Sequence, residues 1–121
     1  MARRPTVAVD FDGVIHSYAT PWLSESHCPD PPVPGAIPFL GLLLAEKLNV
    51  VIHTTRGRTT EGRLAVLEYL AKHGMDTRGI SVTHEKPPAL VYIDDRAYRF
   101  DGSNWPTVGE IFRLKPWHKE D

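Results

Sequence analysis

The sequence predicts an α/β domain built on a parallel sheet with helices on its faces. Three observations carry this. Short apolar runs recur at Val7–Val9, Val50–Ile52 and Leu90–Ile93, unbroken rather than alternating, as in strands buried on both sides. They are separated by segments of helical periodicity, the pattern of βαβ units. The first and last runs end on paired carboxylates, Asp10/Asp12 and Asp94/Asp95. Open α/β sheets bind their ligands at that end of the strands.

The leading stretch Val7-Ala8-Val9-Asp10-Phe11-Asp12-Gly13 is a buried strand that stops at Asp10 and bends at Gly13. Carboxylates at the end of a buried strand are costly without a partner, and a hard divalent cation is the natural one. Residues 16–34 follow, with Pro21, Pro29, Pro31, Pro32 and Pro34. That proline density opposes regular structure and reads as a long loop over the strand. His27-Cys28 lacks a second cysteine or a close histidine pair, so the plain loop reading stands ahead of a soft-metal site.

A helix is expected over 35–48, with Ile37, Leu40, Leu44 and Leu48 in register and Pro38 tolerated in the first turn. Asn49–His53 is the second strand, ending in Thr54-Thr55-Arg56-Gly57-Arg58. Thr59 or Thr60 caps the next helix, whose stripe is Leu64, Leu67 and Ala71 with Val66 and Leu70 beside it, and Gly74 stops it. Gly79–Val82 is a third strand, followed by Lys86 eight residues before Asp94. Ala89–Ile93 is the fourth. The adjacent Asp94 and Asp95 repel, and a cation relieves them. Thr107–Leu114 is a last helix with Val108, Ile111 and Phe112 inward, and 115–121 is a tail.

The 121 residues make one domain, 41% apolar and 24% charged, with a formal net charge of −1. No global basic field gathers nucleic acid. One cysteine excludes an internal disulfide, and neither a signal stretch nor a membrane-length run is present, so a cytoplasmic protein is the default expectation.

Asp10-Phe11-Asp12-Gly13-Val14 resembles the first motif of the haloacid-dehalogenase-like (HAD-like) phosphatases. Thr54, Lys86 and Asp94-Asp95 match its later motifs in order, across roughly residues 6–101. The closest resemblance is to small phage-type members and to the phosphatase domain of polynucleotide kinase/phosphatase. No Gly-x-x-x-x-Gly-Lys loop for a kinase half is present. Alone, Thr54-Thr55 reads as a capping turn and Lys86 as a loop lysine; their places relative to the first motif give them weight.

The resemblance implies a Rossmann-like three-layer sandwich, the Asp10 strand lying between the Thr54 and Asp94 strands. Residues 16–34 are too few for the cap domain inserted there in the family. It implies phosphomonoester hydrolysis through an aspartyl-phosphate. Asp10 is the nucleophile and Asp12 the acid and base. Thr54 and Lys86 hold the phosphoryl group, and Thr55 and Arg56 contact substrate. Magnesium sits on Asp10, Asp12 (through its carbonyl), Asp94 and Asp95. The expected partner is a phosphorylated small molecule or a nucleic-acid end, with no membrane. Tyr18, Trp22, Arg56 and Arg58 are the expected rim of an open site, unless the neighbour in a homo-oligomer covers it. A small-metabolite phosphatase, or a weakly active accessory protein binding nucleic-acid ends, are the alternatives.

Overall fold

The computed structural model describes residues 4–114. Four strands, β1 (Thr6–Asp10), β2 (Asn49–His53), β3 (Ile80–Thr83) and β4 (Val91–Ile93), form one sheet in the order β3-β2-β1-β4. All three pairings are parallel. β1 is therefore flanked by β2 and β4, the arrangement that the resemblance implied. The helices are α1 (Ala36–Ala45), α2 (Thr60–Lys72) and α3 (Val108–Arg113). The fold is α/β and Rossmann-like, and no cap domain is present among the described residues.

Register follows from which residues are apolar. Val7 and Val9 stand opposite Val50 and Ile52, and Val50 stands opposite Ile80. In a strand, residues two apart share a face. These side chains form one core with Leu40 of α1 and Val66, Tyr69 and Leu70 of α2. Both helices thus cover the same face of the sheet. This is the result of two right-handed crossovers stepping in one direction from β1 to β2 to β3.

Helix ends depart from the periodicity in instructive ways. α1 stops at Ala45, three residues before the expected end, because Lys47 takes a left-handed conformation (φ 61°). Leu48 N–H then bonds back to Leu43 C=O at 3.0 Å, and Leu48 packs onto the core from outside the helix. At the end of α2 the expected Gly74 (φ 95°) does the same work, with Met75 N–H bonded to Leu70 C=O. Thr59 is the N-cap of α2, accepting from Gly62 N–H at 3.0 Å.

Two faces differ from expectation. On α2 the buried residues are Gly62, Val66, Tyr69 and Leu70, while Leu64 is half exposed and Ala71 exposed. The helix is rotated because Tyr69 goes inside, its hydroxyl donating to Asp30 C=O at 2.8 Å. On α3, Val108, Ile111 and Phe112 are exposed rather than inward. The α3 helix is held by a local device, a capping box between Thr107 and Glu110. The expected tail 115–121 lies outside the described residues. No helix among them is long and apolar enough to cross a membrane.

Candidate functional site

Asp10 is the last residue of β1, and Asp94 and Asp95 directly follow β4 on the neighbouring strand. Parallel pairing brings both strand ends to the same edge. One carboxylate oxygen from each residue lies within 4.8 Å of the others. Among the described residues this is the one cluster of side chains able to hold a metal ion. Asp10 Oδ1 accepts from Phe11 N–H at 2.8 Å and Asp94 Oδ1 from Arg96 N–H at 2.7 Å, so local backbone turns aim both groups. Burial pushes the Asp10 carboxyl up to about 7; the Phe11 N–H offsets part of this, and the charges of Asp94, Asp95 and Asp12 add to it.

Asp12 does not join that cluster with its carboxylate, which turns to the other side. Arg56 Nε donates to its Oδ2 at 2.9 Å, and Arg56 Nη2 and His16 Nδ1 reach its Oδ1 at 3.0 and 2.8 Å. Burial alone would raise this carboxyl. The bonds from His16 and Arg56 outweigh it and hold Asp12 below the usual carboxylate range. The turn after β1 makes this contact: Val14, Ile15 and His16 N–H groups converge on Phe11 C=O, and Gly13 takes φ 88°. The chain doubles back and lays His16 beside Asp12.

Arg56 is not placed as a substrate contact. Its side chain is completely buried, and Nη1 donates to Ser24 C=O at 3.0 Å and Glu25 C=O at 2.7 Å. Trp22, expected on the rim, lies over the guanidinium at 4.5 Å with its outer face half exposed. Two flanking glycines make room. A Cβ on Gly62 would fall 1.9 Å from Arg56 C=O, and one on Gly57 would fall 2.6 Å from Thr83 backbone. Residues 16–34 are thus a folded loop, pinned by Arg56, by Thr20 to the Asp30 carboxylate at 2.7 Å, and by Val33 N–H to Ile15 C=O.

The other expected residues divide. Thr54 is buried at the end of β2, and its hydroxyl oxygen accepts from Arg56 N–H at 3.2 Å, capping the short 3₁₀ turn Thr55–Arg58. Its hydroxyl proton is left to donate elsewhere. Thr55 and Arg58 are exposed. Arg63 is occupied by Gly57 C=O and the Thr60 hydroxyl. Lys86 lies 4.5 Å from the centre of the Tyr92 ring and shares a cavity of about 660 Å³ with Asp10, His53 and Asp94. Fold and loop together therefore gather Asp10, Asp94, Asp95 and Lys86 on one side, and Asp12, Arg56 and Trp22 on the other. His16 was missed by sequence reasoning. The available signal was its place four residues after Asp12, beyond a glycine turn.

Comparison with solved structures finds a conserved protein coded by a locus from Bacteroides thetaiotaomicron. The match has a TM-score of 0.57 at 24% identity, covering 93% of this chain and 89% of that one. It shows a shared fold. No protein-family model matches the chain, and no curated protein does.

Proposed function

We propose that the protein is a magnesium-dependent HAD-like phosphatase acting on phosphomonoesters. The observation that carries this is the opposition of two acidic groups at the end of β1. Asp10 faces Asp94 and Asp95 within 4.8 Å, while Asp12, two residues on, is turned away and held by Arg56 and His16. This separation supports giving one carboxylate the part of nucleophile and the other that of proton carrier, the division that acyl-phosphate chemistry needs.

An all-carboxylate donor set fits a hard cation, and the raised Asp10 fits a cluster waiting for one. Asp10, Asp94 and Asp95 would hold magnesium through carboxylates, with the Asp12 carbonyl as the remaining protein donor in the resembled family. Bound there, the ion supplies positive charge against the phosphoryl oxygens and the nucleophile. In the first step an Asp10 carboxylate oxygen bonds to phosphorus as the bond to the leaving oxygen breaks. Asp12, ionised at rest between Arg56 and His16, takes up a proton from solvent and passes it to that oxygen. In the second, water attacks phosphorus, Asp12 takes the water's proton, and the bond to Asp10 breaks to release phosphate. The Thr54 hydroxyl proton and Lys86 supply donors for the phosphoryl oxygens.

Nucleotides or polynucleotide ends are the substrates we favour over small sugar phosphates. The half-exposed face of Trp22, braced from behind by the same Arg56 that grips Asp12, is a surface on which a base can stack. The test is hydrolysis of p-nitrophenyl phosphate, nucleoside monophosphates, phosphate-ended oligonucleotides and sugar phosphates, with magnesium and with chelator. Magnesium-dependent turnover abolished by Asp10→Asn is expected. Turnover undiminished in excess chelator, or retained by pure Asp10→Asn protein, overturns the reading. Preference for sugar phosphates overturns only the substrate class.

A further inference from the structure

His16 is fully buried, yet the chemistry above does not use it. Its ring is gripped by Phe11 and Tyr69, with the Tyr18 ring 6.1 Å away. It stacks on Phe11 with centroids 5.5 Å apart and planes at 12°, and meets Tyr69 edge-on at 5.4 Å and 86°. Packing alone would account for an apolar ring here. It does not account for both ring nitrogens being engaged.

Nε2 accepts the backbone N–H of Asp30 at 3.0 Å. A ring nitrogen that accepts carries no proton, so the proton is on Nδ1, which donates to Asp12 Oδ1 at 2.8 Å. The donors on Asp12 are then unevenly shared. Oδ1 receives two, from His16 Nδ1 and Arg56 Nη2, and both its lone pairs are occupied. Oδ2 receives one, from Arg56 Nε, and keeps one lone pair.

We propose that His16 is a positioning residue for Asp12. By filling Oδ1 it leaves Oδ2 as the atom that gives a proton to the leaving oxygen and takes one from water. Through Asp30 N–H it makes the 16–34 loop part of that alignment. Asp30 is itself fixed, its carboxylate by Thr20 and its carbonyl by the Tyr69 hydroxyl. The Pro-rich loop thus sets the tautomer of the group that orients the proton carrier, as outer partners set ligand histidines elsewhere. The inference rests on the phosphatase reading and deepens it.

Two variants separate the ring's two bonds. The amide of His16→Asn comes nearest the place of Nδ1 and keeps a donor toward Asp12. That of His16→Gln comes nearest Nε2 and keeps an acceptor toward Asp30 while leaving Oδ1 short of a donor. Each is assayed on p-nitrophenyl phosphate, whose leaving group needs no proton, and on a nucleoside 5′-monophosphate, whose alkoxide does. The ratio of the two kcat/KM values cancels any loss of folded protein. His16→Gln is expected to raise that ratio by ~10–100-fold, part of what a positioned acid contributes. His16→Asn is expected to stay within ~3-fold of wild type. A ratio unchanged in His16→Gln, or changed equally in both variants, overturns the proposal while leaving the phosphatase reading intact. Wild type inactive on both substrates, with magnesium, overturns the proposal, and inactivity on sugar phosphates as well defeats the phosphatase reading with it. Nitrogen-15 NMR of the wild type gives an arm free of turnover: a proton on Nδ1 and none on Nε2 supports the arrangement, and a proton on Nε2 overturns it.

Discussion

Replacing Asp10 by Asn should stabilise the metal-free protein, and by an amount that depends on pH. The wild-type carboxyl rises from 3.8 to about 7 on folding, chiefly by burial. The native state therefore holds this proton more tightly than the unfolded chain does. Well below pH 3.8 the group is neutral in both states and costs nothing. Between 4 and 7 the native state loses stability as pH rises, by up to about 1.4 kcal/mol per unit. Above pH 8 the full cost is present. A shift of this size corresponds to about 4 kcal/mol, and partial solvent access at Asp10 brings the expectation to about 2–4 kcal/mol. Asn carries no charge, and its side-chain oxygen can still accept from Phe11 N–H, so the variant escapes the cost. Urea unfolding of both proteins in chelator at pH 4.5, 6, 7 and 8 measures the gap, which should grow steadily with pH. Saturating magnesium should then narrow or reverse it, since the ion stabilises the protein whose ligands are complete. A gap constant from pH 4.5 to 8 would refute the argument that Asp10 is a desolvated carboxylate awaiting a cation.

Magnesium affinity should fall about tenfold per unit as pH drops below about 7, because Asp10 must lose its proton to bind; calorimetry in buffers of different ionisation enthalpy reads the released proton directly. Arg56→Ala should cost about 2–4 kcal/mol in chemical denaturation, since it strands the Asp12 carboxylate and frees Ser24 and Glu25, and Arg56→Lys should recover little without the fork. Activity of Arg56→Ala should fall more on the nucleotide than on aryl phosphate, a pattern measured by kcat/KM on both, because the residue acts on Asp12, whose proton the alkoxide needs and the aryl leaving group does not. Gly62→Ala should cost more than about 2 kcal/mol by the same unfolding measurement, as its methyl group meets Arg56 C=O and nothing flexible can yield.

The strands and the acidic groups at their ends were legible in the chain because they are local. Val7–Asp10 and Val91–Asp95 each carry strand, stop and carboxylate within a few consecutive residues, and parallel pairing brings such ends together wherever the pattern recurs. Caps and stops at Thr59 and Gly74 were equally local. What the tertiary structure alone decided lies in partners far apart in sequence. Arg56 reads in the chain as a free guanidinium beside a phosphate site. Forty-four residues separate it from Asp12, and that contact turns it from a surface reader into a buried clamp. α2 turns Tyr69 inward because Asp30 offers its hydroxyl an acceptor, a fact no periodicity contains. The α3 pattern predicted burial, yet a hydrophobic stripe buries only where another surface meets it, and Val108, Ile111 and Phe112 stay exposed. His16 belongs to both accounts. Its distance from Asp12 is written in the sequence, but the tautomer that gives it a role depends on Asp30, which the folded loop alone brings within 3.0 Å.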